Sequence, residues 1–117
     1  MVNQFIESDL QEFKPQFGVM PLPGRDDLEV TCSFEISPSP VHLVAVRGSA
    51  QARLATLSFL EFQRANLRYK GCVVHEDIEK LPAKDRKRLT SAADKQFPSF
   101  DDFREKVASY LKRERVA

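Results

Sequence analysis

The sequence predicts a single α+β domain, and three observations support this fold class. Apolar and polar side chains alternate along residues 28–36, which is the period of a half-buried strand. Residues 50–70 are dominated by Ala, Leu, Gln, Arg and Glu, which favour a helix. Apolar residues recur at helical spacing from Phe100 to Leu111. A chain of 117 residues suits one domain, 1–117, that buries a core without disulfides or metal.

The chain begins with a predicted helix followed by a long loop. Asn3 is a suitable N-cap, and Pro15 ends the helix because it disfavours helical backbone at Lys14. The apolar stripe of this helix comprises Phe5, Ile6, Leu10 and Phe13. Residues 15–27 contain three prolines and two glycines, which predicts turns rather than an element.

The next two segments predict an antiparallel hairpin. Residues 28–36 form a strand with one solvent-exposed face, and the turn Ser37-Pro38-Ser39-Pro40 follows it. Residues 41–46 are almost wholly apolar and rich in valine, so they form a more buried strand. Two strands joined by a short turn pair with each other.

Residues 50–70 have two interpretations. We expect one central helix, since Ser49 is a good N-cap and Gly71 a good residue just beyond the end. The alternative is a pair of strands, at 54–62 and 66–75, which would continue the meander begun at residue 28. The leucines of this segment fall off the main apolar face, and this leaves the alternative open.

The last part of the chain predicts a short strand and two helices. Residues 72–75 are apolar and form the strand. Leu81-Pro82 opens a basic helix, and Phe97-Pro98 closes that segment. Ser99 caps the final helix, with Asp102 three residues later in a near capping-box arrangement.

Charge is distributed unevenly along the chain. Residues 1–46 hold two basic and seven acidic residues, a net charge of −5, whereas the remainder holds 16 basic and 10 acidic residues, a net charge of +6. Such asymmetry favours an acidic protein or a nucleic acid as partner, or attraction between the two parts of the chain. The predicted binding residues are Lys84, Arg86, Lys87, Arg88, Lys112, Arg113 and Arg115.

The segment Arg47-Gly48-Ser49 is a candidate anion site. If a helix begins at residue 50, its free N–H groups point back over Gly48, and Arg47 and Arg53 supply positive charge. The segment has a single glycine and no Gly-Lys-Ser/Thr, so it is not a phosphate loop. A serine-capped helix start explains the same residues.

Neither a metal site nor a catalytic residue is predicted. Cys72-x-x-His75 has ligand spacing, but Cys32 and His42 do not form the second tight pair that structural zinc usually shows. His75, the remaining catalytic candidate, precedes Glu76 and Asp77, yet adjacent strand residues point to opposite faces. We therefore expect no cofactor.

These observations favour a small non-catalytic binding or regulatory protein that docks a basic C-terminal helical surface onto an acidic macromolecule. A nucleic-acid-binding regulator and a small nuclease or phosphate-handling enzyme remain as alternatives.

The N-terminus lacks a signal peptide, no apolar run reaches the length of a membrane span, and the two cysteines are expected to be free thiols. We therefore expect a cytoplasmic protein without a membrane partner, and the sequence leaves its oligomeric state open.

Overall fold

A computed structural model describes residues 2–115 and confirms the α+β class. The helices of this part of the chain are α1 (Val2–Asp9), α2 (Ser49–Arg64), α3 (Ala83–Ala92) and α4 (Phe100–Glu114). The strands are β1 (Pro15–Val19), β2 (Val30–Phe34), β3 (Val41–Val46), β4 (Lys70–His75) and β5 (Lys95–Phe97). Short 3₁₀ turns cover Gln11–Phe13 and Ile78–Lys80.

The five strands form one mixed sheet in the order β1-β2-β3-β4-β5. The first three strands are antiparallel neighbours, and β3, β4 and β5 run parallel. Helices α2 and α3 make the two parallel crossovers. Crossovers of this kind are right-handed, and two in the same direction place both helices on one face of the sheet. Helices α1 and α4 cover the other face.

The core has two layers, one on each face of the sheet. Phe13, Phe34 and Phe103 lie in the layer beneath α1 and α4. Phe59 and Phe62 lie in the layer beneath α2 and α3. Strand alternation supplies both layers from the same strands, so that in β4 the side chains of Cys72 and Val74 face α4 and that of Val73 faces α2.

The predicted hairpin is confirmed. Strands β2 and β3 pair antiparallel, with Cys32 opposite Leu43 and Phe34 opposite Val41. The observed β3 has the predicted bounds of 41–46, whereas β2 is shorter than the predicted 28–36.

The central helix ends at Arg64, six residues before the predicted end at residue 70. Asn66 adopts a left-handed backbone with φ of 57°, which turns the chain back towards the sheet. Tyr69 then packs against Phe59, and its hydroxyl donates to the Phe59 carbonyl at 3.0 Å. Gly71 was expected to follow the helix, but it lies within β4. The alternative strand at 54–62 is wrong.

Two strands lie where none was predicted. β1 falls inside the predicted loop 15–27, where Pro15 and Gly18 obscure any strand pattern and most side chains are exposed. β5 has only three residues, which is too short for a period to be visible. The sheet therefore has five strands instead of three.

The two C-terminal helices form as predicted, but they do not pack against each other as a hairpin would. Pro82 precedes α3, and the Ser99 hydroxyl accepts a hydrogen bond from the Asp102 N–H at 3.2 Å, which caps α4. Strand β5 separates the two helices, and they lie on opposite faces of the sheet. Over residues 2–115, no helix has both the length and the apolar character needed to cross a membrane.

Candidate functional site

The predicted basic cluster of α3 lies on the outside of the helix. Asp85 and Leu89 point towards the core, so Lys84, Lys87 and Arg88 are exposed. Arg86 is half-buried. Within the described residues, none of these four cations has a carboxylate at ion-pair distance.

The predicted cations at the end of α4 divide into two groups. Lys112 and Arg113 are exposed and also make no ion pair within residues 2–115. Arg115 instead binds the N-terminal part of the chain, because its guanidinium lies 3.5 Å from Glu12 and 4.8 Å from the Phe13 ring centre. The predicted binding residues therefore form two separate surfaces, one on each side of the sheet.

Lys112 and Arg113 line a cavity of about 460 Å³ between α4 and β5. Lys95 of β5 and Lys106 of α4 also line this cavity, so its lining contains four cations and one carboxylate, that of Glu105. The remaining lining residues are Ser109 and Tyr110. We call this site the α4 cavity.

Two of the cavity cations are held by neighbouring groups. The Lys95 ammonium lies 5.2 Å from the centre of the Phe97 ring, and the Lys106 ammonium lies 3.8 Å from Asp102. A cation over an aromatic face is attracted by the ring quadrupole, which positions the Lys95 charge at the cavity edge.

The Tyr110 hydroxyl lies at the buried side of the α4 cavity. Its oxygen is inaccessible to solvent and has no hydrogen-bond partner among the described residues. Burial raises the pKa of this phenol, and the nearby Cys72 and Glu114 raise it further. The hydroxyl is therefore protonated at neutral pH and remains a hydrogen-bond donor.

The sequence associates Lys95 with the basic cluster of α3 and gives Lys106 no role, so neither residue is predicted to lie beside Lys112 and Arg113. Residues 106, 109, 110 and 113 follow the i, i+3, i+4, i+7 spacing of one helix face, so Lys106 was detectable from the sequence. Lys95 was not, because its position depends on β5, which the sequence does not reveal.

At the candidate anion site, the charges are already matched by carboxylates. The Arg47 guanidinium lies 3.8 Å from Glu76, and that of Arg53 lies 3.4 Å from Asp85. Gly48 is the N-cap of α2, and no side chain caps this end. An anion at this turn would have to compete with Glu76 and Asp85 for both arginines.

Asp85 connects α2 to α3 beneath the surface. Its side chain is 3% exposed and accepts a hydrogen bond from Arg53. Burial alone raises the pKa of this carboxyl, but the nearby Ser49 hydroxyl, the hydrogen bond from Arg53 and the charge of Arg88 lower it overall. Asp85 is therefore ionised and ties Arg53 to the surface of α3.

His75 and Glu76 line one cavity of about 270 Å³ together with Arg47, whereas Asp77 does not line it, so the three residues do not meet as one site. The His75 Nε2 lies 2.7 Å from the Gln96 side-chain oxygen, and burial lowers the pKa of the imidazole. Glu76 pairs with Arg47, while Asp77 accepts a hydrogen bond from the Glu79 N–H. Each of the three side chains is engaged by a different part of the protein.

The candidate zinc ligands lie on different sides of the sheet. Cys32 and Cys72 belong to the layer beneath α1 and α4, whereas His42 stacks on Tyr69 in the other layer. Burial raises the pKa of the Cys32 thiol to about 12 and that of Cys72 further still. In the part of the chain that the structure describes, no three His, Cys, Asp or Glu side chains are arranged to hold a metal ion.

Comparison with protein-family models, curated proteins and solved structures finds no match.

Proposed function

We propose that this chain is a non-catalytic binding protein that docks its α4 cavity onto an acidic partner. The main support for this proposal is a cavity whose lining contains four cations and one carboxylate. The cations are Lys95, Lys106, Lys112 and Arg113. Lys112 and Arg113 make no ion pair within residues 2–115, so they attract an anion without first giving one up, whereas Lys106 would have to leave Asp102.

A concave cationic surface favours both encounter and retention of an acidic segment. Clefts lined by one sign of charge focus the electric field and raise the association rate. Once an acidic side chain enters, the exposed Lys112 ammonium and Arg113 guanidinium donate charge-assisted hydrogen bonds to it. The proposed mechanism is thus electrostatic steering followed by burial of a small contact area.

An acidic protein segment fits this surface better than a single-stranded nucleic acid does. Proteins that bind single strands stack bases on exposed aromatic rings. Near the α4 cavity, Phe97 and Phe103 are buried in the core, and Phe100 stacks on Phe103.

We place this binding in the cytoplasm, since both cysteines are unpaired thiols.

The test is titration of the purified protein into a labelled Glu-rich peptide, followed by fluorescence anisotropy. Replacing Lys112 and Arg113 together by alanine should weaken binding about tenfold, because two charge-assisted contacts of less than about 1 kcal/mol each are lost. The matched control is the double variant Lys84→Ala/Lys87→Ala, which removes the same charge from the opposite face and should bind as the unaltered chain does.

The same titration with duplex and single-stranded DNA, at about 50 and 200 mM salt, tests the nucleic-acid alternative. Binding of duplex that is tighter than binding of peptide, and that the Lys84→Ala/Lys87→Ala variant abolishes, would replace our proposal with that alternative. Failure of the peptide to bind even at the lower salt concentration would remove the α4 cavity as a docking site.

A further inference from the structure

Helix α2 presents an apolar stripe to the outside of the molecule. Leu54, Leu57 and Leu60 are 46%, 43% and 45% exposed and lie three residues apart. The opposite side of the helix carries the buried Phe59 and Phe62. Phe17 of β1 is also exposed and lines the same cavity as Leu54. A contiguous apolar patch of this kind marks an interaction surface.

One flank of this stripe is positively charged. Helix α3 runs alongside α2 in the same direction, since Arg53 contacts Asp85 and Gln63 contacts the Ala92 carbonyl. Lys84 and Arg88 are exposed one turn apart on α3, and Arg88 is near enough to Asp85 to lower the pKa of its carboxyl, so this side of α3 lies next to α2. We call Lys84 and Arg88 the cationic flank, because Arg53 beside them is already paired with Asp85.

The other flank is negatively charged. Arg25 contacts Glu61 of α2 at 3.6 Å, which fixes residues 25–29 beside the helix. Asp26, Asp27 and Glu29 line the cavity that Leu54 also lines. We call these three residues the acidic flank, in which Arg25 pairs with Asp27 at 3.0 Å and, within residues 2–115, Asp26 and Glu29 make no ion pair. The face therefore has an apolar centre with opposite charges on its two sides.

This pattern is complementary to itself under one arrangement of two copies. A two-fold axis parallel to α2 places the cationic flank of each copy opposite the acidic flank of the other. A two-fold axis perpendicular to α2 places like charges together, which opposes association. The complementary arrangement has the two α2 helices running parallel, with Leu57 of each copy at the axis.

We propose that the protein forms a homodimer through α2, with the two α2 helices parallel. Arg64 lies on the same side of α2 as Leu57, and its ion pair with Glu61 at 3.1 Å balances its charge near the axis. The helix has 16 residues. Together with its flanks it offers on the order of 700 Å² per copy, near the roughly 800 Å² of a standard interface.

Light scattering coupled to gel filtration tests the association. The expected mass is twice the 13.4 kDa of one chain. Leu57→Arg places two like charges at the axis and should give a monomer with an unchanged circular dichroism spectrum. The control Ser8→Arg adds the same charge on exposed α1, on the other side of the sheet, and should remain dimeric.

Disulfide trapping tests the orientation. Ala50 is exposed and lies seven residues before Leu57, so Ala50→Cys brings two introduced thiols together only when the helices are parallel. The native Cys32 and Cys72 are buried and do not compete. Mild oxidation should therefore give a covalent dimer of this variant.

Antiparallel helices would instead cross-link Ala50→Cys to Arg64→Cys when the two variants are mixed. That result, or a monomer at all accessible concentrations, would overturn the proposal. The α4 cavity lies on the other side of the sheet, so peptide binding by a monomeric Leu57→Arg variant separates this test from that of the proposed function.

Discussion

His42 is a buried histidine that the fold holds in its neutral form. It is 6% exposed, stacks on Tyr69 and lies 3.0 Å from the Ser33 hydroxyl. Burial lowers its pKa to about 4. No carboxylate pairs with the ring within residues 2–115, so nothing offsets the cost of placing a charge there.

This burial predicts a loss of stability in mild acid. The unfolded chain protonates His42 near pH 6.5 and the folded chain near pH 4, so the unfolded state binds more protons between these values. The contribution of His42 is complete above pH 6.5 and decreases as the pH falls through this window, by about 2 kcal/mol at pH 5. Urea unfolding at about pH 7.5 and pH 5 measures this loss.

The comparison variant for this prediction is His42→Phe, which keeps an aromatic ring against Tyr69 and cannot titrate. Its stability should fall by about 2 kcal/mol less than that of the unaltered chain over the same pH range. His75, whose pKa burial also lowers, supplies the pH dependence that remains. An equal loss in both proteins would show that His42 protonates without cost in the folded state.

At the scale of elements, the sequence predicts those helices and strands whose positions are set by apolar periodicity or by capping residues. Ser99 and Asp102 mark the start of α4, and the valine-rich run 41–46 is observed as β3. The end of α2 is missed because residues 65–70 contain no Gly or Pro, and the turn at Asn66 is fixed by contacts of Tyr69 with Phe59 that exist only in the folded chain.

The candidate site is also predicted only in part, because some of its residues are reported by a local pattern and others are brought in by long-range contacts. Lys112 and Arg113 are visible in the sequence as a charge cluster at a helix end. The cavity they line requires Lys95, and the position of Lys95 follows from the pairing of β5 with β4. A parallel strand pair is a long-range contact, so no local pattern reports it. Likewise, the sequence does not reveal that α3 and α4 lie on opposite faces.

Gly71 tests the junction between α2 and β4. A Cβ at this position would lie 3.1 Å from the Phe59 ring and 3.2 Å from the Tyr69 ring. Both rings are packed in the core layer beneath α2, so we expect Gly71→Ala to lower the free energy of unfolding by about 1–2 kcal/mol. Chemical denaturation measures the change.

A second substitution distinguishes this crowding from a general strand effect. Phe59→Leu removes part of the ring that the new methyl group meets. The double variant Gly71→Ala/Phe59→Leu should therefore lose less stability than the sum of the two single variants. Strict additivity would mean that the contact with Phe59 is not the cause.

The whole molecule consists of two apolar layers that share one sheet. Strand β4 supplies Cys72 and Val74 to one layer and Val73 to the other, while β3 supplies Leu43 and Val46 in the same way. Charge follows a similar division, since the two surfaces of unpaired cations lie on opposite sides of the sheet. Because both layers pack against the same strands, unfolding of one layer exposes apolar side chains of the other. The two layers should therefore unfold together.

The tyrosines allow this prediction to be measured layer by layer. The chain has two tyrosines and no tryptophan. Tyr69 packs in the layer beneath α2, and Tyr110 in the layer beneath α4. The variants Tyr110→Phe and Tyr69→Phe each leave one fluorophore, so each reports on one layer. At a fixed protein concentration, the urea midpoint from fluorescence should match that from circular dichroism in both variants.

A substitution in one layer should then shift the transition seen from the other. Phe103 is fully buried beneath α4, and Phe103→Ala should cost about 3–5 kcal/mol. Combined with Tyr110→Phe, it leaves Tyr69 as the reporter on the opposite side of the sheet, where the midpoint should fall as far as the circular dichroism midpoint does. A Tyr69 midpoint that stays in place while the circular dichroism signal splits into two transitions would mean that each layer is stable without the other.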